Sequence, residues 1–223
     1  MFVGHYAVAF AAKKFHPSVG LVFLFIAVQL VDLIWPIFLL LGIEHVRIDP
    51  GNTAFTPLDF YDYPYTHSLV FTLVWSVLLG VAYWLWKRDV RGMLIVGICV
   101  ASHWILDFIT HRPDLPLAPG SSVVFGLGLW NNRLATIAVE LALFAIGIWL
   151  YLKSTTPKNG TGVWAFWGLV AFFIVIWTGN IFGPPPPSVE AIAIAGNAMW
   201  LFVLWAWWVD RNRKGLATAL RVR

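Results

Sequence analysis

The chain has 223 residues, of which 60% are hydrophobic and only 12% charged, and 15 Lys and Arg against 11 Asp and Glu leave a net charge of +4. Soluble domains are about 25% charged, so this chain has too few charges to cover a water-facing surface, which excludes soluble-enzyme, disordered and nucleic-acid-binding classes. Fourteen Trp and seventeen Phe fit an all-α polytopic membrane bundle with aromatic anchors at the lipid interface. The single cysteine, Cys99, lies in an apolar stretch, so neither a disulfide framework nor a thiolate metal cage is available.

A helix crossing a bilayer core needs roughly 20 apolar residues. The N-terminal FVGHYAVAFAAKKF is shorter, and Lys13 and Lys14 follow its apolar part, unlike the basic start of a signal peptide. It reads as a short helix dipping into the membrane, joined through His16–Pro17–Ser18 to the first full span. Spans are expected at about 19–43, 68–86, 92–109, 134–152, 163–183 and 190–209. The last break falls at Pro184 to Pro187, because proline lacks the amide proton a helix interior needs. No internal repeat or soluble second domain is visible. Residues 1–223 form one integral membrane domain: 1–140 carries the candidate site, 141–209 adds spans, and 210–223 is a basic tail.

Alternating spans place twelve Lys and Arg on one side and only Arg47, Arg112 and Arg133 on the other. Short Lys/Arg-rich loops stay cytoplasmic, so the C-terminus is expected in the cytoplasm and the 43–67 and 110–133 loops on the opposite face.

A charge at the centre of a membrane helix costs roughly 2.5–3.5 kcal/mol on insertion scales, yet Asp32, His103, Asp107 and Glu140 lie within apolar spans and His5 in the first helix. Topology draws them to one level. His67 opens one span, His103, Asp107 and His111 close the next on the same side, and Glu140 follows about two turns into the one after. Asp32 lies ~21 Å along its helix from Ser18, and His5 reaches that depth if the first helix runs antiparallel. In SHWILDFITH, His103, Asp107 and His111 recur every four residues on one helix face. An imidazole and a carboxylate so placed can share one metal, and a sulfur-free set suits Zn²⁺ first, then Mn²⁺ or Fe²⁺. The candidate ligands are His5, Asp32, His67, His103, Asp107 and His111.

Plainer roles stand beside these. Asp32 can cap a helix interrupted near Pro36, and Glu140 can pair with Arg133 or a neighbouring amide. Asp59 and Asp62 in TPLDFYDYPYTHS read as turn and cap residues. His16 and His45 read as interfacial or loop residues, and Asn180 and Asn197 as interhelical hydrogen-bonding contacts.

The motifs Gly4–His5, Leu30–Val31–Asp32 with Pro36, Thr66–His67–Ser68, and Ser102–His103 with Asp107 together resemble a family of membrane-bound metal-dependent hydrolases. That family includes a LexA-regulated bacterial inner-membrane member and is remotely similar to the zinc-dependent bacterial phospholipase C. The resemblance covers residues 4–107. It implies a bacterial or archaeal inner membrane, a divalent ion, and a lipid-linked or amphipathic phosphoester substrate. The chain departs from the family pattern in having no second acid beside Asp32 and no extra His before Thr66, which leaves His111, Asp114 or Glu140 to complete a larger metal site.

The expected function is thus metal-dependent hydrolysis, with Asp32 or Glu140 as proton acceptor and Arg112 or Arg133 offsetting phosphoryl charge. The alternatives are a proton- or cation-coupled transporter and a scaffold with a structural metal. The charge asymmetry is tested by cysteine labelling of intact cells in a Cys99→Ser background. An impermeant reagent should label Ser121→Cys and spare Arg221→Cys; the reverse pattern inverts the topology.

Overall fold

A computed structural model describes residues 1–216, so Arg221 and Arg223 of the expected tail lie outside the described residues. The chain is mostly helical: α1 (Val3–Phe15), α2 (Leu21–Leu40), α3 (Pro64–His67), α4 (Leu69–Lys87), α5 (Val90–Thr110), α6 (Arg133–Ser154), α7 (Gly160–Phe182), α8 (Val189–Asn197) and α9 (Trp200–Asn212). Among the described residues, six helical segments are long and apolar enough to cross a membrane, with Val189–Asn212 counting as one. This is the all-α polytopic bundle expected from the sequence.

The helix starts follow local chemistry. Ser68, Asp89, Asn132, Asn159 and Ser188 cap α4, α5, α6, α7 and α8, each side chain accepting an amide proton three residues on. Such caps satisfy amides that have no partner within the helix. Alternation of the spans gathers residues 41–68, 111–132 and 183–188 at one end of the bundle. At that end lie two short antiparallel ribbons: β1 (His45–Ile48) with β2 (Leu58–Asp62), and β3 (Leu115–Pro116) with β4 (Val124–Phe125). At the opposite end β5 (Thr155–Pro157) pairs with β6 (Arg213–Gly215).

The short N-terminal helix α1 is not among the candidate spans but is built into the bundle: nine of its thirteen residues are buried, and it packs along α6 and against α2, α5 and α7. Tyr6 and Phe10 stand in an aromatic cluster with Phe25, Phe144, Phe166 and Phe173. Close approach to α6 depends on Gly147, where an added Cβ would meet the Ala7 carbonyl oxygen at 2.5 Å. Small residues allow this kind of backbone contact, and packing rather than hydrophobic transfer holds helices together in lipid.

Other local expectations change. Helix α2 runs through Pro36 without interruption, although a proline there cannot donate to the Asp32 carbonyl four residues back. The last span is a single segment, as expected, although its helix is interrupted by a turn at Ala198 and Met199, and Asn197 donates to Ala193 in its own helix at 2.9 Å instead of to a neighbouring helix. In the ribbon, Asp59 pairs with Arg47 and Arg112, and Asp62 lies 2.7 Å from His45. The β1–β2 register sets His45 opposite Asp62 and Arg47 opposite Asp59, so Asp59 is an ion-pair partner and Asp62 a hydrogen-bond partner within the ribbon, and neither is a turn cap.

In the expected tail, Arg213 is buried and donates to the Gly162 carbonyl at 3.0 Å. Asp210 pairs with Lys13 at 3.2 Å, tying α9 to the end of α1.

Gly147→Leu should force α1 from α6 and lower the thermal unfolding midpoint by several degrees, the cost of overpacking being about 1–3 kcal/mol. Gly160→Ala, where a Cβ meets nothing within 4 Å, should leave it unchanged. Circular dichroism of detergent-purified protein reads both.

Candidate metal centre

Helix α5 turns His103 and Asp107 inward on successive turns, and both are buried. Asp32 arrives from α2, His5 from α1, and His67 from the last position of α3, directly before the Ser68 cap of α4. Two groups of potential ligand atoms result, His5–His103–Asp107 and Asp32–His67–His103, each with its atoms within 4.8 Å of one another. His103 belongs to both.

The hydrogen bonds behind the imidazoles decide which nitrogen faces the carboxylates. His103 Nδ1 lies 2.7 Å from the Val28 carbonyl oxygen, an acceptor only, so Nδ1 carries the proton. Nε2 then faces Asp107 Oδ2 at 3.0 Å and Asp32 Oδ2 at 3.7 Å, yet makes no well-formed hydrogen bond to either and is buried. A similar lock holds His67. The Thr66 hydroxyl donates to Glu44 Oε2 at 2.6 Å and so accepts from His67 Nδ1 at 2.7 Å. Glu44 also accepts the Tyr65 and Thr66 amides, at 2.7 and 2.8 Å. His67 Nε2 consequently faces Asp32 Oδ1 at 3.2 Å.

With both rings neutral, two imidazole nitrogens would thus meet carboxylate oxygens lone pair to lone pair. Either a second proton on the ring or a cation between the groups removes that conflict. Ligands about 2.0–2.1 Å from a tetrahedrally coordinated ion sit roughly 3.3 Å apart, which the 3.0–3.7 Å separations bracket. Nitrogen and oxygen donors without sulfur suit Zn²⁺, Mn²⁺ or Fe²⁺. The residues present fit a divalent ion.

His5 stacks on His103 with ring centres 3.7 Å apart and planes within 2°, and its Nε2 lies 3.1 Å from Asp107 Oδ1. The Met1 amino nitrogen stands 2.7 Å from the same oxygen. Five of the six expected ligands therefore converge.

The sixth, His111, does not. It follows the end of α5, where its Nδ1 lies 2.9 Å from Asp114 and 3.2 Å from the Tyr63 hydroxyl. Burial pushes the Tyr63 hydroxyl well above the usual phenol range, so it stays protonated and donates to Asp114 at 2.9 Å. These three residues pin the turn after α5 to the ribbon. Periodicity put His111 with Asp107, but the helix ends first.

Arg112 is bound to Asp59, Asp114 and Asn52 and is a brace of the loop layer. Glu140 is fully buried, and its Oε2 accepts the amides of Phe2 at 3.1 Å and Gly4 at 3.4 Å. Of its two expected alternatives this is the amide one, since Arg133 donates instead to the Ala54 carbonyl.

Sequence reasoning missed Glu44 and Thr66. Thr66 stood in the THS motif without a role, and no spacing links Glu44 to it. Also missed is a cleft of about 1040 Å³ that reaches Asp32, His67 and Asp107 and is walled by residues 50–58, α7, α8 and α9.

Partners behind a metal-binding imidazole typically contribute 10–100-fold in affinity. Thr66→Val and Glu44→Gln should each weaken zinc binding by about that factor, while His103→Ala should abolish it and His16→Ala leave it unchanged. Elemental analysis and competition with a chromogenic chelator read this; a folded wild type that takes up no divalent metal would falsify the centre.

The family model described as YdjM inner membrane protein matches residues 2–181, a stretch that contains α1 through nearly all of α7 and every converging ligand. No curated protein and no solved structure matches the chain. With six apolar spans and a family match over the greater part of its length, the chain belongs to the YdjM inner membrane protein family and is an integral membrane protein.

Proposed function

We propose that the protein is a metal-dependent hydrolase embedded in the membrane that cleaves a lipid-linked phosphoester. The observation that carries this reading is the pair of imidazoles, His67 and His103, whose Nδ1 atoms are committed to Thr66 and the Val28 carbonyl while their Nε2 atoms face Asp32 and Asp107. His5, Asp32, His67, His103 and Asp107 would hold the ion, with zinc the first candidate. Bound there, a divalent ion supplies Lewis acidity toward a phosphoryl oxygen and lowers the pKa of a water toward ~7.

The chain's own groups divide the remaining work. Asp32 is the more open of the two carboxylates, its side chain 25% exposed against 2% for Asp107, and it lines the cleft. Where it is not engaged with the ion, Asp32 would accept a proton from an attacking water as the oxygen–phosphorus bond forms. It can return that proton to the alkoxide released when the ester bond breaks. Asp107 and His5 lie deeper and hold the arrangement from behind. Glu140, tied to the amides of α1, and Arg112, tied to Asp59, position these elements and take no part in proton transfer.

Purified protein in vesicles with added Zn²⁺ or Mn²⁺ should cleave a lipid phosphoester, and chelator should abolish this. Asp32→Asn and His67→Ala should lower kcat/KM at least a hundredfold with little change in thermal stability. The rate should rise with pH through an apparent pKa of about 7. Absence of cleavage across glycerophospholipids, polyprenyl phosphates and a soluble phosphodiester, together with metal- or proton-dependent flux, would move the assignment to a transporter.

A further inference from the structure

The cleft beside the candidate centre is chemically two-sided. Its inner end meets Asp32, His67 and Asp107, and Arg133 also lines it. Its wall within the membrane-spanning part is apolar and comes from Phe172, Ile176, Trp177, Met199, Phe202 and Trp205 on α7 and the α8–α9 span. Two features keep it open. At Gly179 an added Cβ would meet nothing within 4 Å, and Ala195 on α8 presents only a methyl group to the same space. The turn at Ala198 and Met199, where α8 gives way to α9, lies along this wall.

Arg133 is the one Lys or Arg that lines the cleft among the described residues. Its Nε donates to the Ala54 carbonyl at 2.7 Å, which orients the guanidinium without neutralising it. Among the described residues no carboxylate pairs with it, whereas Arg112 is paired with two. A free guanidinium beside a cleft is suited to a phosphoryl group, whose oxygens match its planar fork of donors.

We infer that the groove between α7 and α8–α9 is the binding site for a single long hydrocarbon chain of an anionic phospho-amphiphile, whose phosphoryl group Arg133 receives at the mouth of the candidate centre. This rests on the proposed function for what happens to the phosphoester, and it adds where the lipid sits and which residues select it. A volume of about 1040 Å³ is at the top of the range for small-molecule sites, roughly 300–1,000 Å³, and so accommodates a headgroup and an extended chain together. Charge complementarity favours this occupant over a neutral lipid. The acids that line the cleft would repel a phosphate that had no cation beside it, and Arg133 is the cationic side chain in the same lining among the described residues. Part of the groove wall, α8 and α9, lies beyond residues 2–181, where the family match ends. Selection of the chain therefore belongs in part to a region outside the match.

The test is photolabelling of the full-length protein in nanodiscs with hexadecyl phosphate carrying a mid-chain diazirine, mapped by peptide mass spectrometry. Labels should concentrate on Ile176, Trp177, Met199 and Phe202, saturate with dose, and be displaced by unlabelled hexadecyl phosphate but not by hexadecanol. Gly179→Trp, or Ala195→Phe if the first variant does not fold, should reduce labelling at these positions at least tenfold without changing metal content. Arg133→Gln should weaken displacement by hexadecyl phosphate about tenfold and leave metal content unchanged. Labelling that does not saturate, or that spreads over outward-facing residues such as Leu78 and Ile146, would overturn the site. So would a disulfide-linked dimer formed through Ala195→Cys in a Cys99→Ser background, which would assign the groove to a second copy. Focused, displaceable labelling in a protein that cleaves nothing would support the groove while removing the hydrolase reading. Cleavage with unfocused labelling would do the opposite.

Discussion

The interaction on which the upper half of the molecule depends is the one between Glu140 and the start of α1. A helix that begins inside a bundle brings amides with no partner of their own and a partial positive charge, and lipid offers nothing to satisfy them. Glu140, on α6, accepts the amides of Phe2 and Gly4 and so lets α1 begin at the depth of the His/Asp cluster. With its start held there and Gly147 admitting its backbone against α6, α1 brings His5 flat onto His103. A residue expected to serve chemistry is thus an anchor.

The same economy governs the candidate ligands. Each of the two imidazoles facing Asp32 has its other nitrogen committed, one to a backbone carbonyl of α2 and one to a threonine that is itself committed to Glu44. The chain Glu44–Thr66–His67 joins the loop after α2 to the short helix before α4, so His67 is oriented by a residue 23 positions earlier in the sequence. Ser68, next in line, caps α4. Three adjacent residues therefore have three separate duties: Thr66 orients, His67 presents its nitrogen, and Ser68 starts the helix.

The two ends of the bundle are built for different ends. At the ribbon end, Arg112, Asp59, Arg47, Tyr63, His111 and Asp114 are consumed in mutual pairing, and among the described residues none of these acids pairs with Arg133. At the other end, Lys13, Asp210 and Arg213 cross-tie α1, α7 and α9. The later spans, which carry none of the converging acids or histidines, supply the apolar wall of the cleft.

Much of this was determined by the sequence alone. Six spans follow from the length of apolar runs, because the bilayer imposes a minimum helix length, and the shared level of His5, Asp32, His67, His103 and Asp107 follows from alternating those spans. The spacing of His103 and Asp107 set them on one face because a helix repeats every 3.6 residues. What only the tertiary structure decided was who stands behind whom. Glu44 meets Thr66, Glu140 meets the start of α1, Arg112 is taken by Asp59, and α7 and α8–α9 part to leave a cleft. His111 continues the four-residue spacing on paper, yet α5 ends at Thr110 and the backbone turns it toward Tyr63 and Asp114. Periodicity acts within one helix and is legible in sequence. Pairing between residues of different helices depends on how those helices pack, and neither spacing nor composition records that.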